Sequence, residues 1–169
     1  MQHELIQLED YFLSHFHVDF HFPEKTEEVP ISWSLDFDYD TFRDKQHITR
    51  RMLGLEVSGK CLGKDNKPIG LTFDIEIRGI FHLPESMDEE HQEGLLRING
   101  VSILYSTLRG ILGNVSGSFP GGRFCLPTIS PKEIVESVEA RKKQSSFKAT
   151  TKPVPKKTVK KKARKKTKQ

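Results

Sequence analysis

Apolar and polar residues alternate over four long segments in the first part of this chain. In the clearest of them, Trp33, Leu35, Phe37 and Tyr39 are separated by serine and aspartate residues. Alternation with a period of two places one set of side chains on a buried sheet face and the other set in water. The predicted strands cover about residues 11–22, 31–40, 47–61 and 69–81. Together they predict an antiparallel sheet with one wet face.

Helical spacing begins only after the fourth predicted strand. Leu104, Leu108 and Leu112 recur four residues apart, which predicts a helix that starts at about residue 88 or 95 and ends near residue 115. Ser130 followed by Pro131 is typical of a helix N-terminus, and the second predicted helix extends to about Lys143. A complete sheet that precedes its helices is not a nucleotide-binding βαβ unit, so we predict an α+β domain with late helices over one sheet face.

Basic residues are concentrated at the end of the chain. Residues 141–169 contain 14 Lys/Arg and no Asp or Glu, which leaves 13 basic residues against all 23 acidic ones in residues 1–140. The sequence therefore predicts an acidic globular domain over residues 1–144 and a disordered, lysine-rich tail over residues 145–169. A segment rich in charge and proline buries too little apolar area to offset the cost of ordering its backbone.

The remaining composition is typical of a cytosolic chain. No apolar run approaches the roughly 18 to 20 residues of a membrane span, and the N-terminus lacks the layout of a signal peptide. Cys61 and Cys125 lie far apart in sequence and form no CxxC motif. We expect reduced thiols, and a single bridge remains an alternative.

Histidines in the first strand form the strongest candidate for a metal site. His15, His17, Asp19 and His21 alternate along one face in a pattern similar to the HxHxDH metal motif of metallo-β-lactamases. Neighbours on that face lie about 7 Å apart, too far for all four to reach one zinc ion through bonds of about 2 Å. We therefore predict water-facing histidines and no metal.

The chain also lacks sequence signatures of catalysis. It has no GxSxG, GxxxxGK[ST] or GxGxxG motif. Asp36, Asp38 and Asp40 share one strand face, but a solvated strand explains them without a paired acid and base. We predict that the protein is not an enzyme and uses no cofactor.

Aromatic residues are more abundant than the predicted helices can cover. A single sheet with two short helices offers few surfaces to bury so many rings, so we expect some to face a partner subunit or a client. The predicted apolar stripe of the first strand consists of Phe12, Phe16, Val18, Phe20 and Phe22.

Four short motifs in order resemble the SecB export chaperone and its SecB-like relatives. They are Gly79-Ile80-Phe81, Ile103-Leu104-Tyr105 with Arg109, Phe119-Pro120, and Leu126-Pro127 leading to Ser130-Pro131. The resemblance implies a four-stranded antiparallel sheet with two helices on one face, assembled as a dimer of dimers. It also implies an ATP-independent holdase that keeps secretory precursors unfolded in the bacterial cytosol and delivers them to the SecA motor.

The resemblance and the positions of the aromatic residues suggest three functional surfaces. The acidic contact with SecA falls on Asp74, with Glu76 beside it. Tyr105 and Arg109 fall where the family makes its helix-to-helix oligomer contact. The candidates for the client-binding groove are Trp33, Phe37, Tyr39, Phe119, Phe124 and Leu126.

The tail departs from the family pattern, whose best-known members end in a mildly acidic segment. A lysine-rich tail favours phosphates and anionic headgroups, so ribosomes, nucleic acid and anionic membranes are its candidate partners, and simple solubilisation of the chaperone is the alternative. Two alternatives to an export chaperone stay open: a dedicated chaperone of one partner such as an antitoxin, and a nucleic-acid or ribosome-associated protein that acts through its tail. The predicted anion-binding residues are Lys160, Lys161, Lys162, Arg164, Lys165 and Lys166.

Overall fold

A computed structural model of the protein describes residues 6–22, 32–43, 47, 49–63, 66–119 and 122–150, the last six of them by backbone alone. The predicted anion-binding residues of the tail lie outside the described residues. The four strands are β1 (Gln7–His21), β2 (Ser32–Arg43), β3 (Arg50–Leu62) and β4 (Pro68–His82). Each predicted strand is present, within a few residues of its expected bounds.

The strands form one antiparallel sheet in the order β1-β4-β3-β2. The last strand therefore lies between the first and the third, and β1 and β2 are the edges. In the middle of the sheet, Tyr39 pairs with Leu55 and Leu55 pairs with Ile77. Because paired residues share a face, the apolar positions of the strands meet on one side, which we call the inner face. Asp38, Glu56 and Glu76 pair in the same way on the opposite, outer face.

An irregularity in β1 changes which of its side chains point inward. The register shifts between Leu13 and His15, so that Phe12 pairs with Arg78 while Phe16 pairs with Ile75. Phe12 therefore lies on the outer face and Phe16 on the inner face. The predicted stripe that joined these two rings is wrong, because one extra residue in a strand exchanges the faces of everything before it.

The first helical segment begins where the sequence predicted. Asp88 caps α1 (Glu89–Leu95) by accepting a hydrogen bond from the backbone N–H of His91 at 2.9 Å. A π-helical turn (Leu96–Gly100) joins α1 to α2 (Val101–Ser116) without a break in the helical backbone.

The second helical segment, α3 (Pro131–Thr150), starts directly after Ser130. It is longer than predicted, since it continues past Lys143 and past the predicted domain boundary at residue 144. No helix within the part of the chain that the structure describes is long and apolar enough to cross a membrane.

The core lies between the inner face and the helices. Gly79 lets α2 approach the sheet closely, since a Cβ at this position would come within 2.7 Å of a methyl carbon of Leu104. Helix α3 adds Ile134 and Val138 to the same cluster. The fully buried side chains at its centre are Leu53, Leu55, Ile75, Ile77, Phe81, Leu104, Leu108 and Leu112. This arrangement confirms the predicted α+β fold, a four-stranded antiparallel sheet with two helices on one face.

An aromatic surface at one end of the sheet

The segment that follows α2 lays two rings over one end of the inner face. Phe124 stacks on Trp33 of β2, with ring centroids 4.2 Å apart. Phe119 stacks on Phe20 of β1 at 6.2 Å, and Phe20 meets Phe22 edge-on at 5.1 Å. These five rings, together with Phe73, which lies 5.8 Å from Phe124, form what we call the aromatic surface. It joins the two edge strands through a segment that is distant from both in sequence.

Hydrogen bonds to α2 fix this segment in place. The backbone N–H of Phe124 donates to Oγ of Ser116 at 2.8 Å, and Nε of Arg123 donates to the carbonyl of Gly113 at 3.1 Å. Leu126 anchors the segment from below, because its side chain is fully buried in the core. The rings above it are therefore held by a framework that does not depend on a ligand.

Several rings of the aromatic surface remain open to solvent. Trp33 is 40% exposed and Phe22 is 72% exposed, while Phe119 and Phe124 are half-buried. An extended apolar segment could pack against them, since aromatic rings bury large areas with little demand on the partner's sequence. Three of the predicted groove residues, Trp33, Phe119 and Phe124, thus lie together.

The other three predicted groove residues lie deeper. Phe37 is half-buried and meets Tyr105 edge-on at 6.1 Å. Leu126 and Tyr39 belong to the core. Both side chains are buried in the folded chain and present almost no surface to a client.

Tyr39 joins β2 to α3 through a partly buried hydrogen bond. Its hydroxyl donates to Oε1 of Glu139 at 3.1 Å, and Arg97 donates to the same oxygen at 2.8 Å. Burial, followed by the hydrogen bond to Glu139, raises the pKa of Tyr39 to about 12. The hydrogen bond from Tyr39 also helps to lower the pKa of Glu139. This pair fixes α3 against the edge of the sheet.

The two residues predicted for the oligomer contact have partners within the subunit. The Tyr105 hydroxyl donates to the carbonyl of Pro127 at 2.7 Å, and the side chain is 5% exposed. Arg109 donates to Oγ1 of Thr128 at 3.1 Å and remains exposed. Tyr105 therefore offers little surface to another subunit, and the predicted contact depends on Arg109.

Asp74 and Glu76, predicted to contact SecA, lie on the outer face of β4. Glu76 accepts a hydrogen bond from Nε of Arg78 at 2.7 Å. The Asp74 side chain is about half-exposed, with His15 3.8 Å away. Both carboxylates are thus accessible on the wet side of the sheet, and their binding role remains a prediction.

The histidines of β1 also lie on the outer face, but they have separate partners. His17 is 2.7 Å from Asp19, and His21 is 3.2 Å from Oγ1 of Thr72. Across residues 6–22, 32–43, 47, 49–63, 66–119 and 122–150, no three His, Cys, Asp or Glu side chains are grouped so that they could hold a metal ion.

Comparison with solved structures shows that the fold is similar to that of a known chaperone. The chain aligns with the SecB-like chaperone Rv1957 of Mycobacterium tuberculosis, solved in complex with a ChAD peptide from the antitoxin HigA1 (Rv1956). The TM-score is 0.62 at 17% identity, over 75% of this chain and 91% of that chain. The protein has a SecB-like fold.

A second solved structure is less similar, and the sequence comparisons found no match. A protein of unknown function from Streptococcus agalactiae aligns with a TM-score of 0.42 at 11% identity, over 74% of this chain and 98% of that chain. No family model matches the sequence, and no curated protein matches it. The SecB-like fold is therefore recognised from structure and from the short motifs, whose order along the chain agrees with it.

Sequence reasoning missed part of the aromatic surface. Phe20, Phe22 and Phe73 alternate correctly in their strands, but nothing local shows that β1 lies next to β4 and beneath Phe119. One available signal was overlooked: Tyr11 and Leu13 occupy odd positions, whereas Phe16 and Val18 occupy even ones. The apolar side chains thus move from odd to even positions near Ser14, which indicates an extra residue in the strand at that point.

Proposed function

We propose that this protein is an ATP-independent holdase that keeps unfolded precursor proteins competent for export and passes them to the Sec machinery. It is a cytoplasmic, non-enzymatic chaperone in this proposal. The observation that carries the proposal is the aromatic surface, whose rings stay partly open on a SecB-like fold. A chaperone that holds many unfolded chains needs such a surface, because exposed apolar side chains are what unfolded chains have in common.

The geometry supports binding of an extended segment. Rings on the loop and on both edge strands offer contacts to successive apolar side chains of a client. Within the described part of the chain β1 is an edge strand, so its outer side offers backbone N–H and C=O groups, which accept an added strand irrespective of sequence. Affinity then comes from many weak contacts, which suits a holdase that must release its client.

Assembly into a homo-oligomer, a dimer of dimers, is part of the same proposal. Tyr11, Leu13 and Phe16 on the inner face of β1 are 38–45% exposed in the single subunit. Apolar side chains grouped in this way favour contact with another subunit. Native mass spectrometry with and without an unfolded precursor measures subunit number and client binding together.

The sharpest test compares Trp33→Ala with Phe42→Ala. Both side chains are 40% exposed, but Trp33 belongs to the aromatic surface and Phe42 lies on the outer face beside Arg78. We expect the wild-type protein to suppress aggregation of an unfolded client at stoichiometric amounts. Trp33→Ala should weaken client binding about tenfold or more, as loss of an aromatic anchor does, while Phe42→Ala should change it little.

Two results would contradict the proposal. One is a wild-type protein that does not slow client aggregation at all. The other is equal weakening by the two variants, which would mean that the aromatic surface has no special part in holding the client.

A dedicated chaperone for a single antitoxin is the second candidate. It is favoured by the structural likeness to Rv1957, which was solved with an antitoxin peptide. A protein that co-purifies at one copy per binding site would support this candidate over general export. Loss of SecA binding in Asp74→Asn, measured by titration with purified SecA, would instead support the export function.

A further inference from the structure

We propose that residues 151–169, the part of the lysine-rich tail that follows α3, bind across the outer face of their own chain's sheet and cover the carboxylates there. This part is called the tail below. The occupant is a segment of this chain outside the described residues. This surface is on the side of the sheet opposite the aromatic surface, so the inference does not depend on client binding there; it does include Asp74 and Glu76, the predicted SecA contact, which the tail would cover.

The outer-face carboxylates form two rows across the sheet. Register pairs Asp38 with Glu56 and Glu56 with Glu76, while the next row runs from Asp36 to Asp74. Cross-strand neighbours on one face lie about 4.5 to 5.5 Å apart at their Cβ atoms, so like charges repel each other. The pKa of Glu56 is raised, first by partial burial and then by Asp74, Asp38, Glu76 and Asp36. This face therefore holds an excess of negative charge that a cationic segment would relieve.

Arg141 and Lys142, the first residues of the basic C-terminal region (residues 141–169), already contact this face. The Arg141 guanidinium binds the carboxylate of Asp36, and Nζ of Lys142 lies 2.8 Å from Oδ1 of Asp38. Lys142 also lines a cavity of about 100 Å³ together with Asp38, Asp40, Glu56 and Glu76. The face thus accepts cationic side chains delivered by α3, and this observation is separate from its acidity.

Length and charge allow the tail to reach the remaining carboxylates. The tail begins where α3 ends, eight residues beyond Lys142. It contains ten Lys/Arg and no acidic residue. An extended segment of this length spans about 60 Å, whereas four strands span about 15 Å. The tail can therefore cross the whole outer face without displacing α3.

Zero-length carbodiimide cross-linking of the full chain tests the proposal, because it joins lysines only to carboxylates that they contact. We expect lysines of residues 152–168 to couple to Glu56, Asp74 and Glu76 at low salt. The yield should fall at high salt, since exposed charge pairs are screened. Peptide mapping by mass spectrometry identifies the joined residues.

A matched pair of double variants gives the control. Glu56→Gln/Asp74→Asn should lower the cross-linking yield at Glu76 by about two- to fivefold for each carboxylate lost. Glu85→Gln/Glu90→Gln, which alters exposed residues near α1, should leave that yield unchanged.

Three outcomes would overturn the proposal. The first is equal cross-linking of the tail to Glu85 and Glu90 in the wild-type chain, which would mean unspecific attraction. The second is the absence of tail cross-links to the outer face. The third is joined peptides from two different chains in a mixture of isotope-labelled and unlabelled protein, which would make a second copy the occupant.

Discussion

The two edge strands, β1 and β2, both carry aromatic residues on the inner face but have different surroundings. On β2, Tyr39 is held by Glu139, and the carbonyls of Phe37 and Tyr39 accept hydrogen bonds from α3. On β1, the inner-face side chains at the same end of the sheet stay 38–45% exposed. Near Tyr39, β2 is covered by a helix of the same chain, whereas no further strand lies beside β1 among the residues that the structure describes.

This difference indicates where the protein can interact. Where α3 covers β2, the carbonyls of Phe37 and Tyr39 are hydrogen-bonded and the Tyr39 ring is buried, so this part of the edge contributes to stability. An open edge with exposed rings is costly for a monomer and is usually covered by a subunit or a client. We therefore expect mutations near Tyr39 on β2 and in the segments that cover it to act on stability, whereas mutations on β1 should act on assembly or binding, as mutation of Trp33 should at the other end of β2.

Truncation of a buried leucine should lower the free energy of unfolding the most. Leu126→Ala leaves a cavity beneath the aromatic surface and should lower the free energy of unfolding by about 2 to 5 kcal/mol. Leu13→Ala on β1 should cost less than about 1 kcal/mol in a dilute subunit, because that side chain is 38% exposed. Urea unfolding at several protein concentrations measures both values. If Leu126→Ala and Leu13→Ala lowered the free energy of unfolding equally at all protein concentrations, the proposed difference between the two edges would be wrong.

Removing the Tyr39 hydroxyl should have an intermediate effect. Tyr39→Phe loses the hydrogen bond to Glu139 and should cost about 1 to 2 kcal/mol near neutral pH.

The same hydroxyl predicts how stability depends on alkaline pH. The pKa of Tyr39 rises on folding from an ordinary 10.0 to about 12, so the folded state favours the protonated hydroxyl. The resulting stability is fully present below pH 10 and is lost as the pH rises through about 12. Unfolding free energies measured against pH should show this loss in full in the wild type and in Tyr11→Phe, and a smaller loss in Tyr39→Phe, where only Tyr105, whose pKa burial also raises, still contributes. An unchanged slope in Tyr39→Phe would contradict the assignment.

Weakening the charged contacts of α3 should have the smallest effect. Arg141→Ala removes a contact with Asp36 and should cost below about 1 kcal/mol, because the pair is exposed. Amide hydrogen exchange should nonetheless quicken in the last turns of α3. Lys132→Ala, which removes an exposed pair with Glu136 at the other end of α3, provides the control. If amide exchange at the end of α3 became faster in both variants, the contact between Arg141 and β2 would not be what protects those amides.

Local sequence was sufficient for the elements and, outside β1, for their faces. Alternation alone predicted the four strands and the inward positions of Leu55 and Ile77, since side-chain direction along a strand depends only on position. The start of α3 after Ser130 followed from residue types that satisfy helix ends, and the start of α1 at Glu89 agrees with one of the two predicted positions. The order of four short motifs added the SecB-like fold, which the structural comparison supports.

Only the tertiary structure decided which rings stay open. Trp33 and Tyr39 occupy the same stripe of β2, yet Trp33 is exposed and Tyr39 is buried because α3 crosses the strand only near Tyr39. Likewise, the placement of β1 beside β4 brought Phe20 under Phe119, almost a hundred residues away. Burial depends on contacts between distant segments, and such contacts leave no periodic signal in the sequence of either one.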